Sequence, residues 1–515
     1  MARWLERRWN LFATALALNI AAGCTYDYSA YSPVVIDTFG LTLRETDLVM
    51  NFAFFFYATT SYGYSICNQK LGPKRSPRIG CAVMLACYAL LVYNLVQPLL
   101  PGPHGAALMS VLMGVGWAGQ GTSLGAGFQQ VVRCFPDSSG FAVGVIKGSL
   151  GAGGALAPAI FFGLWGQRPP ENALGMKLFP AFASITLGLS IWLFTCCVDA
   201  RPGSSTRDGR VFFILACAVV VITAAATACS FLPLGALSDC LLAATISSLL
   251  ALFLGLSFLE DKDAELAESE GSTADAMHIT VQQASKTAEY WMCMLVFSSA
   301  AGSGQLVLTN LSQMADAIGF SAQSEALLCC FSFCNMLSRL AFGMACDILK
   351  RRRASRVLLF VLSTVLGACG QVLLHAAAVQ EDLTLLVSGV VIVGLGFGGA
   401  FPTLVNVCAA RWGSATLNAN WTLLDAVGNG TASLLFGSYL GSYSYDRHAD
   451  KSGRCFGRDC FSFPHLVMAA ACVAGAMISI ALICLHPHHR QIRRSLSQLP
   501  VERAPISSFD IDASS

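Results

Sequence analysis

The sequence predicts an all-α polytopic membrane protein in which two six-helix halves are joined by two additional spanning helices. Three observations carry this. The 515-residue chain is 55% hydrophobic and only 12% charged, against about 25% charged in an ordinary soluble domain. Its charges cluster between long apolar runs, and a bilayer core roughly 30 Å thick needs about 20 apolar helical residues per crossing. The pattern of its loops also repeats on either side of a central polar linker. Inside lipid the backbone must satisfy its own hydrogen bonds, so runs of this length form helices.

The runs, about 14 in number, lie near 10–34, 46–67, 79–97, 106–129, 139–164, 178–198, 211–231, 236–258, 290–312, 325–346, 356–377, 383–406, 418–440 and 463–485. The first is too long for a signal-peptide core. It continues into Tyr26-Asp27-Tyr28 without a clear cleavage site, and there Asp27 reads as an interfacial residue of an aromatic belt. The seventh and eighth runs are separated only by Leu232 to Gly235, so full crossings and a re-entrant pair are both open there. Glu260 to Glu289 begins acidic and contains Gly271-Ser272-Thr273, the composition of a flexible linker. The expected organisation is a first helical bundle over 1–200, two extra helices over 201–258 and a cytoplasmic linker over 259–289. A second bundle follows over 290–486, then a tail over 487–515.

Most of the 32 Lys and Arg residues fall in loops on the side of the N-terminus, including Arg3, Arg7, Arg8, Lys70, Lys74, Arg75, Arg78 and the run Lys350 to Arg353. Basic residues are retained in the cytoplasm, so both termini are expected there, in the plasma membrane or an endomembrane. The net charge of +2 gives no reason to expect nucleic acid as a partner. The expected partners are the bilayer, a small-molecule substrate and a coupling proton or ion.

The repeat has two signatures. Gly343-Met-Ala-Cys-Asp347 precedes Lys350-Arg351-Arg352-Arg353 after the tenth run, and Gln69-Lys70-Leu71-Gly72-Pro73-Lys74-Arg75 follows the second. In addition Arg133 stands 14 residues before Lys147, and Arg411 stands 14 residues before Asp425. If the halves are parallel repeats, Lys147 and Asp425 are pseudo-equivalent, one basic and one acidic in otherwise apolar helices.

The Gly343–Arg353 stretch resembles the G-x-x-x-D-x-x-G-R-R loop of the major facilitator superfamily, with Lys350 in place of its glycine. The first copy keeps glycine and bases but lacks the acid. Further segments resemble the nodulin-like branch of that superfamily. These are Phe135-Pro136, Gly144-Val-Ile-Lys147-Gly148-Ser-Leu-Gly151-Ala-Gly-Gly154-Ala, Asn310-Leu-Ser-Gln313, Asn335 to Gly343, Tyr445-Asp446-Arg447 and the Cys455…Cys460 loop. The resemblance implies a transporter fold with alternating access and accounts for the two central helices. It carries over no single substrate. Gly343, Asp347 and Arg351 are expected in gating.

Lys147 is the first candidate for substrate binding. It lies roughly 7 Å from the middle of its helix at 1.5 Å per residue, where a charge costs about 2.5–3.5 kcal/mol on insertion scales and so faces a partner or a wet cavity. Gly151, Gly154 and Pro158 share its helical face, which would let an anionic group approach the backbone. The same face would serve for packing a neighbouring helix. Asp425, with Trp421 and Asn418 on its own helix, is a proton or cation site or the counter-charge of Lys147. Arg339 suits a carboxylate or phosphate, or an inner-gate salt bridge. Asn310 and Gln313 line a pathway or join helices.

Most of the 21 cysteines sit inside apolar runs as small apolar residues. Cys455 and Cys460 share an outer loop where an oxidising compartment would make a disulfide. No zinc-type spacing, Ser-His-Asp set or Gly-Lys-Ser nucleotide loop occurs, so neither a catalytic nor a metal site is expected, nor a cofactor. His486, His488 and His489 read as solvated. The sequons at Asn310, Asn420 and Asn429 fall in or beside runs, and glycosylation is not expected there. The leading expectation is secondary transport of a small organic anion through a cavity containing Lys147. A proton-coupled exporter of a cation or amphiphile using Asp425 is the first alternative. A transporter-shaped receptor that moves no solute is the second.

Overall fold

The computed structural model describes residues 6–25, 28–41, 43–165, 173–205, 207–231, 236–259, 279–450 and 455–496. Asp27, the Leu232–Gly235 connection, most of the central linker and the end of the tail lie outside the described residues. The described chain is almost entirely helical: α1 (Arg8–Thr25), α2 (Ser32–Phe39), α3 (Leu43–Val96), α4 (Gly102–Cys134), α5 (Ser139–Trp165), α6 (Ala173–Cys197), α7 (Asp208–Phe231), α8 (Ala236–Phe258), α9 (Val281–Ala284), α10 (Ala288–Ala317), α11 (Ser324–Arg351), α12 (Leu358–Gln380), α13 (Leu383–Trp412), α14 (Leu417–Ala432), α15 (Gly441–His448) and α16 (Ser462–Leu496). A π-helical segment, Ser433–Leu440, joins α14 to α15 without a break.

Helical backbone covers the described part of each expected apolar run, with three differences. The first run is shorter than expected, because α1 ends at Thr25 and α2 starts afresh with Pro33 in its first turn, where a missing amide does no harm. The second and third runs are not separated by a loop. They form one helical stretch broken at Gly72, whose φ of 70° and extended ψ turn the chain in a single residue before Pro73. Only glycine takes that φ without strain. Finally, the thirteenth run passes into the π-helix.

Ten helices among the described residues are long and apolar enough to cross a membrane. α1, α4 and α14 are not among them. α4 buries Gln120, Thr122 and Ser123, and α14 buries Asn418, Asn420, Thr422 and Asp425. These polar side chains face protein instead of lipid and lower the hydropathy of α4, while α14 is only 16 residues long before the π-helical segment continues it. On the outside, Trp192, Ile214, Val221 and Leu237 are exposed, as a chain solvated by hydrocarbon requires.

Helices of the first 200 residues pack mainly on one another, with α3 against α4 and α1 against α5 and α6. After residue 280, α13 packs on α11 and α12, and α16 on α10 and α12. The two sets meet along α5–α11 and along α14 with α3 and α4. α7 and α8 lie beside α5 on the first set. α7 is pinned there by Arg8, whose guanidinium donates to both carboxylate oxygens of Asp208 at 2.7 and 3.0 Å and to the Gly203 carbonyl at 2.7 Å. Phe212 of α7 also packs among Trp9, Phe12 and Phe135. Arg8 and Asp208 are both buried, so each is a charge that needs its partner.

Candidate functional site

Two helices set the frame of the site. α5 and α11 cross where Gly140 and Gly144 face Gly343: a Cβ at Gly140 would stand 2.5 Å from the Gly343 carbonyl, and one at Gly343 would stand 2.6 Å from Gly144 Cα. One turn further along α11, the Asp347 carboxylate accepts hydrogen bonds from the Gly140 and Phe141 amides, each at 2.7 Å. Those amides belong to the first turn of α5, where the helix dipole favours an anion. Lys350 donates to the Pro136 carbonyl just before that turn. Gly343 and Asp347 therefore hold the two helix ends together, at the end of the molecule that carries Lys74 and Lys350 to Arg353. The Arg351 side chain is exposed and makes no hydrogen bond or ion pair among the described residues.

About two turns above this lock lies Lys147. Its ammonium stands 4.5 Å from the ring centre of Trp421 on α14, 4.7 Å from that of Phe128 on α4 and 5.5 Å from that of Phe401 on α13. Three aromatic faces so placed attract a cation through their quadrupoles. Arg339 of α11 approaches the same box, with its guanidinium carbon 4.6 Å from the centre of Phe401. It donates from Nη1 to the Lys147 carbonyl at 2.8 Å and from Nε to Asn335 Oδ1 at 3.0 Å. Asp425, one turn beyond Trp421, accepts a bond from the Tyr57 hydroxyl of α3 at 3.1 Å through Oδ2. Among the described residues its Oδ1 has no partner, and neither does the Trp421 indole nitrogen.

The structure thus brings together Lys147, Arg339 and Asp425, which are 3%, 5% and 6% exposed. The charges acting on Lys147 are those of Asp425 and Arg339, and among the described residues no ion pair joins Asp425 to either cation. Two cations therefore share one carboxylate in a buried, aromatic-walled place.

Gly151 and Gly154 continue the Lys147 face of α5 away from the basic end. No atom of the described residues lies within 4 Å of a Cβ built on either, so this part of the face borders open space. Gly148 of α5 packs against Leu340 and Met336 of α11, and Met336 also clusters with Ala152 and Leu156 further along α5. Asn310 is committed elsewhere. Its amide donates to the Leu306 and Gly437 carbonyls at 2.9 and 2.7 Å, joining α10 to the π-helical segment. Gln313 is half-buried, and its side chain makes no hydrogen bond among the described residues. Cys455 and Cys460 form a disulfide, and the loop it closes is tied to the end of α10 by the Gly457 amide donating to the Ala317 carbonyl at 2.7 Å.

Sequence reasoning did not find Phe128, Phe401 and Tyr57. Each is an aromatic residue in an apolar helix, indistinguishable by spacing from one that packs on a neighbour, and only the convergence of several helices places them together.

Two family descriptions match the chain: Nodulin-like over residues 8–257 and the NFD4 C-terminal domain over 276–495. Among solved structures, the major facilitator superfamily proton:xylose symporter XylE bound to 6-bromo-6-deoxy-D-glucose superposes with a TM-score of 0.59 at 12% identity, over 92% of this chain and 95% of that one. The transporter FucP in the outward conformation does so at 0.50 and 11%, over 92% and 99%. A curated relative, an uncharacterized 38 kDa protein in the 23S RNA operon of Thermoproteus tenax, is 26% identical over 170 residues. That match spans 33% of this chain and 43% of the relative's length. At these identities the solved structures establish the fold, and the two family matches between them run nearly end to end. The chain belongs to the nodulin-like family, and its fold is that of the major facilitator transporters.

Proposed function

We propose that this protein is a secondary transporter that carries a small organic anion by alternating access, with Lys147 in its central site. One observation carries the proposal. Lys147 and Arg339 share the single carboxylate of Asp425 where α4, α5, α11, α13 and α14 meet. A buried excess of positive charge is unfavourable unless a guest or a wet cavity compensates it, and an anionic guest does so directly. The interaction of α5 with α11 suits the rest of the cycle. Asp347, Gly140 and Gly343 hold the basic end shut, while the Gly151–Gly154 face stands open at the other.

In this proposal about 14 spans form two six-helix bundles, over 1–200 and 290–486, with α7 and α8 as the additional pair and the segment 259–289 as the connection. The distribution of Lys and Arg puts the basic end and both termini in the cytoplasm, and the arrangement described is then the outward-facing one. Proton coupling has a separate support in Asp425, whose Oδ1 is unpartnered among the described residues and lies beside two cations, the position of a carboxylate that exchanges a proton as its neighbours move.

The test is mass-spectrometric profiling of solutes in cells expressing the wild type or Lys147→Gln at equal surface level. An anion that changes with the wild type and not with the variant is the expected result. Profiles identical to those of empty cells for both proteins would favour the receptor alternative, and a shift that survives Lys147→Gln would remove Lys147 from the site.

A further inference from the structure

The central site holds three polar functions that the protein leaves unsatisfied. Lys147 Nζ rests on three rings and donates no hydrogen bond among the described residues. Among those residues Trp421 Nε1 is a fully buried donor without an acceptor, and Asp425 Oδ1 is a buried acceptor without a donor. Buried polar groups are satisfied in the great majority of cases, and each exception calls for an explanation. Other unpartnered atoms lie on neighbouring turns, such as Asn68 Oδ1 and Asn418 Nδ2, but Asn68 and Asn418 already bond each other at 3.0 Å. Trp421 instead lies against the ammonium itself, and Asp425, one turn further on α14, is the carboxylate whose charge acts on it.

What satisfies all three is specific. The ammonium and the indole N–H both donate, so the guest must present acceptor oxygens to that corner. Asp425 Oδ1 accepts, so the guest must present an O–H or N–H there. One helical turn spans about 5.4 Å, which sets the separation of the two groups on the guest to a few bonds. The charge count selects further: with two cations and one carboxylate in place, a guest of charge −1 brings the site to neutrality, whereas a zwitterion leaves it positive. The walls are the flat faces of Phe128, Phe401 and Trp421, which suit an apolar or aromatic body.

We infer that the substrate class is a monocarboxylate carrying a hydroxyl close to its carboxylate, the carboxylate held by Lys147 and Trp421 and the hydroxyl donating to Asp425. This deepens the transport proposal and rests on it. Asp425 then reads the hydroxyl, and Tyr57, which already donates to Oδ2, fixes the carboxylate so that Oδ1 faces the guest. Discrimination by such a group is strong, because an analogue without the hydroxyl leaves a buried carboxylate oxygen unpaired.

The experiment uses the full-length protein in proteoliposomes and compares uptake of mandelate with that of phenylacetate, which differs only in lacking the hydroxyl. The wild type is expected to take up mandelate with a half-saturation concentration about tenfold lower or better. Trp421→Phe keeps an aromatic ring and removes the N–H, so it should weaken both probes alike and preserve their ratio. Asp425→Asn should bring the ratio towards one. The wild-type ratio decides the matter even if Asp425→Asn does not fold. Equal uptake of the two probes would overturn the hydroxyl assignment and leave anion transport standing. Uptake of neither probe, with another anion found by solute profiling that lacks a donor group, would also overturn it. Uptake of neither, with a flat solute profile, would take down the transport proposal as well.

Discussion

Replacing Asp347 by asparagine should open the basic end of the molecule. The Asp347 carboxylate receives two amide hydrogen bonds at 2.7 Å from the first turn of α5, and a bond to a charged group is worth about 1.5–3 kcal/mol. The side-chain amide introduced by Asp347→Asn has the same shape but one acceptor oxygen, so one of the two bonds is lost and the other becomes a neutral one. The attraction to the helix dipole, about 0.3–1 kcal/mol, goes with the charge. The net weakening is about 2–3 kcal/mol, which shifts the closed-to-open ratio at this end by roughly 30- to 150-fold. Cys346 reports on it: this thiol sits next to Asp347 and is fully buried. Its rate of alkylation by a small maleimide, followed by peptide mass spectrometry, should rise tenfold or more in Asp347→Asn, and solute accumulation should fall. An unchanged rate at Cys346, with unchanged transport, would mean that the pair of bonds does not close a gate.

Two further outcomes test the packing. Gly343→Ala adds a methyl 2.6 Å from Gly144 Cα and the Gly140 carbonyl, a backbone clash that cannot be relieved by a side-chain rotation, and overpacking of this kind costs about 1–3 kcal/mol. Cys346 labelling should rise as it does for Asp347→Asn, although no charge has changed. Arg8→Ala strands the buried carboxylate of Asp208 and should cost about 3–5 kcal/mol, read as a lower melting temperature and poor yield in detergent. The double variant Arg8→Met with Asp208→Leu should regain most of that loss. If the single variant is as stable as the wild type, α7 is held by Phe212 and its neighbours alone.

Much of this was legible in the chain, for a physical reason. The length and apolarity of a spanning run answer to the bilayer, so the helices of the outer shell could be found by composition. Charges in those runs are costly, so Lys147, Arg339 and Asp425 stood out one residue at a time, and they do converge. Composition alone was a weaker guide at α4 and α14, where buried polar residues face other helices and α14 is only 16 residues long before the π-helical segment. The break at Gly72 was hidden because a single left-handed residue replaces a loop. Asn310 read either as a pathway residue or as one that joins helices, and its side chain does the second, bonding α10 to the π-helical segment.

By itself the sequence determined the apolar helical character of the fold, the family to which it belongs and the charges that must find partners. Those follow from the cost of moving polar groups into hydrocarbon, a cost each residue bears locally. Only the tertiary structure decided that Lys147 lies in a box of Phe128, Phe401 and Trp421, that Asp425 keeps one oxygen without a partner among the described residues, and that Asp347 caps α5. Such contacts join residues far apart in the chain, 207 positions for Gly140 and Asp347 and 368 for Tyr57 and Asp425, and their geometry comes from how closely glycine-lined helices approach, which no local pattern in the chain encodes.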